Sequence, residues 1–282
     1  MTERNGTSTR YSLAYSPCPN DTYIFAALAN RWLPDSPTFE LTLADVEALN
    51  NEALKAMYDV TKVSYAVVPQ LSQHYKLLRS GGALGYNCGP LLVAPPGNRR
   101  KLKDFRDATI AIPGTQTTAF LLLRLALQHI GAITEIRFDH IARAVKNGEA
   151  DAGVIIHEAR FTYKDAGLVE IADFGEWWTR ETGLPIPLGA IVARNALTDD
   201  QTQRIEQAIR ASLRFARAHE DQALEYVRQS TRESDAVIRK HIELYVNEFS
   251  EDIGRQGEGA VRELFARAST LERTEAAEAR FA

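Results

Sequence analysis

Two extended runs that carry prolines constrain this chain more than any other feature. Residues 90–94 (PLLVA) lead into Pro95-Pro96-Gly97-Asn98, the clearest breaker cluster in the sequence, and residues 185–193 (PIPLGAIVA) carry prolines at their start. Proline donates nothing to a ladder and cannot continue a helix, so such runs belong at boundaries. The segments they separate repeat one layout. In the first, residues 11–15 (YSLAY) alternate as a strand does, the turn SPCPND follows, and residues 22–30 (TYIFAALAN) have the make-up of a short helix. A second alternating run (39–46), a helix (47–57) and a strand-like run (60–68) follow, with Pro69 opening another helix. In the second block, strand 109–112 (TIAI), the turn Pro113-Gly114-Thr115-Gln116 and an apolar helix from about residue 117 to 129 come first. A short strand at 136–138, a helix at 140–150 and the apolar strand 151–156 (DAGVII), capped by His157, come next.

Strand, turn and helix in succession predict an α/β class with a largely parallel sheet in each block. The expected division is a larger first lobe of residues 1–95 and 188–282, carrying the C-terminal helices, and a second lobe of residues 96–187. Helical spacing at Ile205, Ile209 and Leu213, and at Ile242, Tyr245 and Phe249, places amphipathic helices against the first lobe. Two α/β lobes joined by two crossings resemble a two-lobed type II periplasmic-binding-protein-like fold, with the ligand cleft between the lobes. The phrase KNGEADAGVII resembles the same superfamily.

Composition narrows the partners. A formal net charge of −4 over 282 residues leaves no global basic face, so nucleic acid is not an expected partner. No apolar run approaches 18 residues, and no membrane partner is expected. The opening residues MTERNGTSTR lack the apolar stretch of a secretory signal, and the expectation is a cytoplasmic protein acting on a small molecule. Cys18 and Cys88 are the only cysteines, which fits neither a disulfide framework nor a structural zinc site, so no metal is expected. The oligomeric state is not legible.

Ligands of open α/β sheets collect beyond the carboxyl ends of strands, beside the starts of the next helices. Four segments fall there: SPCPNDT (16–22), Thr61-Lys62-Val63-Ser64-Tyr65, Gly114-Thr115-Gln116-Thr117-Thr118, and His157-Glu158-Ala159-Arg160. The threonine turn either holds an anion on exposed helix N–H groups or merely caps its helix. Lys62 is either a solvated strand-end lysine or a substrate contact sharing one strand face with Ser64. On a continuing strand Gly153, Ile155 and His157 share a face, aiming the imidazole into the cleft; it then serves as a general base, or else bonds to backbone. Asn20 or Asp21 is placed to cap the first helix. Cys18, held between prolines with no nearby histidine in sequence, reads as a structural filler and not as a nucleophile. Trp177 and Trp178 receive no role. No P-loop, GxGxxG or GxSxG pattern is present, and Phe161 stands where a zincin would have its second histidine.

Taken together in order, SPCPNDTYIFAAL, DVEALN, TKVSYAVV, RSGGALG, PGTQTTA, AGVIIHEARFTY and GLPIPLGAI resemble the 1,4-dihydroxy-6-naphthoate synthase family of the futalosine route to menaquinone, over about residues 11–194. The resemblance implies a cofactor-free lyase that converts cyclic dehypoxanthinyl futalosine to 1,4-dihydroxy-6-naphthoate and dihydroxyacetone. It matches His157 to the family's proton acceptor. Lys62, Val63 and Ser64 match one substrate-contact segment, and Thr117 and Thr118 match another. Tyr23 stands where the family usually has Phe, and Val63 where Leu is common. Two other readings stay open on the sequence: chorismate dehydratase, a sibling on the same fold, and a binding protein without chemistry. Asp21 is either a substrate contact or a helix cap.

Overall fold

In the computed structural model, which describes residues 10–274 and 277–282, the chain forms two mixed sheets flanked by helices. The first passage through the chain lays down β1 (Arg10–Tyr15), α1 (Pro19–Ala29), β2 (Thr38–Leu43), α2 (Val46–Leu54), β3 (Val60–Ser64), α3 (Val68–Leu71), β4 (Tyr75–Leu77) and β5 (Ala83–Gly85). The chain then crosses through residues 86–90 and builds β6 (Leu91–Ala94), β7 (Thr109–Ile112), α4 (Thr118–Leu127), β8 (Ala132–Glu135), α5 (Ile141–Lys146), β9 (Ala152–Ile155), α6 (Ala159–Thr162), β10 (Val169–Asp173) and α7 (Phe174–Thr182). It returns with β11 (Ile186–Arg194) and closes with α8 (Asp199–Ala218), α9 (Glu220–Ser230), α10 (Asp235–Tyr245), α11 (Glu248–Glu251) and α12 (Gly254–Glu272).

The first sheet has the order β2-β1-β3-β11-β4, with β5 also on β11; the second has β10-β6-β9-β7-β8. Strands that arrive through helices run parallel: β1 with β2 and β3, and β7 with β8 and β9. The strand entering after each crossing comes from the opposite direction, so β11 is antiparallel to β3 and β6 is antiparallel to β9. The parallel sheets expected from sequence therefore each take an antiparallel strand into their interior. Residues 91–94, assigned to the first lobe on the strength of Pro95-Pro96, pair instead inside the second sheet. The crossing is the segment before them. There a Cβ on Gly89 would sit 2.1 Å from the Gly175 nitrogen, so backbone packs directly on the start of α7. Arg160 fastens the same segment by donating to the carbonyls of Asn87 (2.9 Å) and Gly89 (2.6 Å) and to Asp173 (2.5 Å).

Helix α1 starts three residues earlier than its sequence predicts, because Pro19 at its first turn needs no N–H partner. It is buried from Pro19 to Leu28, wedged between the first sheet and α8, α9 and α10, which explains its apolar character on every face. The expected strand at 136–138 is displaced: β8 occupies Ala132–Glu135, and Phe138 opens a single 3-10 turn. The run 60–68 breaks at Ser64 into a 3-10 turn over Tyr65–Val67. Trp178 is fully buried and donates its indole N–H to the Pro185 carbonyl (3.0 Å), so it belongs to the core. A continuous apolar cluster runs from Val63 and Tyr65 through Leu92, Ile110 and Phe174 to Phe265, spanning both sheets. Among the described residues no helix is long and apolar enough to cross a membrane.

Candidate active site

A cleft of about 680 Å³, partly open to solvent, lies between the two sheets. All seven residues singled out in the sequence, Asp21, Lys62, Val63, Ser64, Thr117, Thr118 and His157, line it. Their local settings differ from the sequence expectations in instructive ways.

Asp21 does not cap α1. The capping position is Cys18, without a side-chain bond, and Thr22 bonds back to the Cys18 carbonyl instead. Asp21 sits one turn in, 2% exposed, and takes the Lys62 ammonium at 2.6 Å, the Ser16 hydroxyl at 2.7 Å and the Asn20 amide at 2.8 Å. Lys62, 4% exposed, is therefore no solvated lysine: it projects from the wholly buried β3 and also donates to the Gly81 carbonyl at 3.1 Å. An ammonium has three donors, so one remains for a ligand. Ser64 accepts from Asn50 (3.1 Å), which leaves its own proton free to donate.

At the start of α4, Thr117 is the cap, accepting from the Phe120 amide, and its hydroxyl donates to the Gly114 carbonyl. Thr118 donates to the Leu188 carbonyl and accepts from the Ala66 amide, tying the second lobe to the first. Both hydroxyls are thus committed, and among the described residues the amides of Thr118 and Ala119 donate to no protein group. Capping and anion binding, posed as alternatives on the sequence, do not exclude each other: the Thr117 side chain caps while the two amides and the positive helix end stay available. The turn before this helix is clamped across the cleft by Glu47, which accepts from the Gln116 amide (3.0 Å) and lies flat on Gly114.

His157 reaches the cleft by a different route from strand alternation. Strand β9 ends at Ile155, and His157 has φ +56°, a left-handed conformation uncommon outside glycine that re-aims the ring. Phe138 packs edge-on against it, with ring centres 5.0 Å apart. Among the described residues neither ring nitrogen has a hydrogen-bond partner, and the alternative of a backbone-bonded histidine does not hold there. The ring is half-buried: it touches cleft space while atoms of both lobes surround it. Burial lowers its pKa from 6.5 to about 4, against the pull of the Asp21 and Asp45 carboxylates, while the Lys62 ammonium lowers it further. At neutral pH it is uncharged with a free lone pair.

Three contributors receive no role on the sequence. Asp45 caps α2 with one oxygen, and its other oxygen is buried without a partner among the described residues. His241, on α10, is fully buried, lines the cleft and lies nearly parallel to His157, with centres 6.3 Å apart and planes at 14°. The signal available for it was a polar residue on the inward face Ile238, His241, Tyr245. Glu158, in the second lobe, is buried beside the Cys18 thiol of the first, and burial raises its pKa from 4.5 to about 7. The Cys18 thiol is itself driven well above its usual range by burial, with Glu158 adding to the effect, so it is not a nucleophile. Among the described residues no group of three or more His, Cys, Asp or Glu side chains is arranged to hold a metal ion.

Two lobes around a cleft of this kind define a protein with the periplasmic-binding-protein-like fold, here carrying acid–base side chains at the cleft wall. Solved structures agree on the fold. The alkanesulfonate-binding protein from Xanthomonas axonopodis pv. citri, bound to MOPS, superposes with a TM-score of 0.73 at 13% identity over 97% of this chain and 98% of its own. A crystal structure of a protein from Archaeoglobus fulgidus gives 0.88 at 31% identity, covering 95% of this chain and 99% of its own. The family described as menaquinone biosynthesis matches residues 11–270, and the chain belongs to it, as an enzyme of that pathway. Curated relatives named 1,4-dihydroxy-6-naphthoate synthase are 47% identical in Thermus thermophilus, over 91% of this chain and 93% of the relative. The relative in Streptomyces coelicolor is 45% identical over 91% and 92%.

Proposed function

We propose that this enzyme converts cyclic dehypoxanthinyl futalosine to 1,4-dihydroxy-6-naphthoate and dihydroxyacetone, with His157 as the proton acceptor. One observation carries the reading: an uncharged imidazole, unbonded to protein and re-aimed by a left-handed residue, faces the cleft. The relatives' name supplies the product class.

The substrate carboxylate rests on the free amides of Thr118 and Ala119 at the positive end of α4, an attraction of ~0.3–2 kcal/mol. Lys62, already neutralised by Asp21, offers its third donor, and Ser64 its hydroxyl, to oxygens along the β3 wall, of which Val63 is also part. His157 removes a proton. The electron pair released opens the fused ring, the three-carbon fragment leaves as dihydroxyacetone on taking a proton back from the imidazolium, and aromatisation of what remains drives its loss. As the imidazolium forms, Asp21 and Asp45, whose charges already favour its protonation, stabilise it. Closure of Glu47 on the 114–116 turn keeps water from the enol intermediates.

The test is incubation of purified protein with cyclic dehypoxanthinyl futalosine, with the naphthoate followed by absorbance and mass. Naphthoate formation supports the reading. Its absence where a known synthase works overturns it, and parallel incubation with chorismate identifies a dehydratase by its product.

A further inference from the structure

His241 has one nitrogen for the protein and one for the ligand. The assignment follows from a chain of hydrogen bonds. An ionised carboxylate only accepts, so Asp21 turns the Asn20 amide with its NH2 toward Oδ1 (2.8 Å) and its carbonyl away. That carbonyl meets His241 Nε2 at 3.0 Å, so Nε2 must carry the proton. Nδ1 is therefore the bare acceptor of the ring. It is shielded from water and has no partner among the described residues. Burial, then His157 and Lys62, keep the ring uncharged by holding its pKa well below 6.5.

We infer that His241 Nδ1 accepts a hydrogen bond from a hydroxyl of the substrate and fixes that hydroxyl beside the atoms on which His157 acts. The ring belongs to the cleft wall, and among the described residues Nδ1 is its buried acceptor without a partner. The near-parallel approach to His157 across the cleft puts the two imidazoles on one portion of the ligand. In a dry setting such a bond discriminates strongly, because a ligand without the hydroxyl leaves the nitrogen unpaired. Tyr245, one turn further along α10, holds the ring at 4.6 Å between centres, so its orientation is fixed before binding.

The inference rests on the synthase reading, and the experiment separates the two. In His241→Gln the side chain keeps a donor for Asn20 but loses the Nδ1 acceptor; His241→Asn places a carbonyl near the Nδ1 position. The expected result is a kcat/KM for cyclic dehypoxanthinyl futalosine lowered ~10–100-fold in the Gln variant and recovered in part in the Asn variant. In 15N-histidine-labelled wild type, the His241 Nδ1 resonance should move toward hydrogen-bonded values when 1,4-dihydroxy-6-naphthoate or dihydroxyacetone is added. That measurement needs no variant to fold. Wild type that turns over beside an equally competent Gln variant, or an Nδ1 resonance unmoved by either product, overturns the inference alone. Wild type that forms no naphthoate overturns the synthase reading and the inference with it.

Discussion

Replacing Asp21 by Asn should cost the protein roughly 3–5 kcal/mol of stability, because it strands a buried charge. The change is isosteric, so packing is preserved. What it removes is the counter-charge of Lys62, a residue 4% exposed whose ammonium, among the described residues, otherwise donates only to the Gly81 carbonyl. Lys62→Met strands the carboxylate instead, leaving Asp21 with the Ser16 hydroxyl and Asn20 amide as its donors. The double variant removes both charges, and neutral groups of similar shape are tolerated far better in such a site, so it should lie within ~1 kcal/mol of wild type. At an unfolding entropy of roughly 0.6 kcal/mol/K for a chain this long, each single variant should melt about 5–8 °C lower. Thermal melts of the four proteins, closed into a double-mutant cycle, measure the coupling. A single Asp21→Asn variant melting within ~1 °C of wild type, or a double variant losing as much as the two singles together, would refute the argument that this pair is buried and mutually neutralising.

Three other expectations follow from the site. His157→Gln should remain folded and bind product while turnover falls ~10²–10⁴-fold, read by single-turnover naphthoate formation; near-normal rates would remove His157 from the role of base. Glu158, with its folded pKa raised to about 7 from 4.5, holds a proton that the unfolded chain has released, so its stabilising effect is complete below about pH 4.5 and lost as pH rises through 7. Glu158→Gln should accordingly be more stable than wild type at pH 8, by up to ~3 kcal/mol, and little different at pH 4.5 in urea titrations; equal curves at both pH values contradict the burial of the carboxyl between lobes. A Cβ at Gly114 would meet the Glu47 side chain at 2.3 Å in a backbone conformation, φ +150°, that other residues rarely adopt. Gly114→Ala should raise KM several-fold by holding the lobes apart; an unchanged KM excludes the clamp.

The sequence by itself determined the α/β class, the two lobes and the four loops that form the cleft. These are properties of local pattern: apolar alternation, prolines at crossings and polar turns at strand ends leave few ways to bury the apolar faces. It also brought Lys62, Ser64, Thr117, Thr118 and His157 into view, because each stands where a strand ends or a helix begins. Only the tertiary structure decided what these residues are bonded to. Asp21 lies within a helical turn of a capping position, and nothing in SPCPNDT tells that a lysine 41 positions later will take its carboxylate. The left-handed backbone of His157 has no signature in IIHE, and the loss of the 91–94 strand to the second sheet depends on pairing across the molecule. His241 is the extreme case, a polar residue in an ordinary helix far from every motif, made part of the cleft by packing α10 on α1. Long-range contacts of this kind carry no local trace, since each partner's own sequence neighbourhood is satisfied by its helix or strand alone.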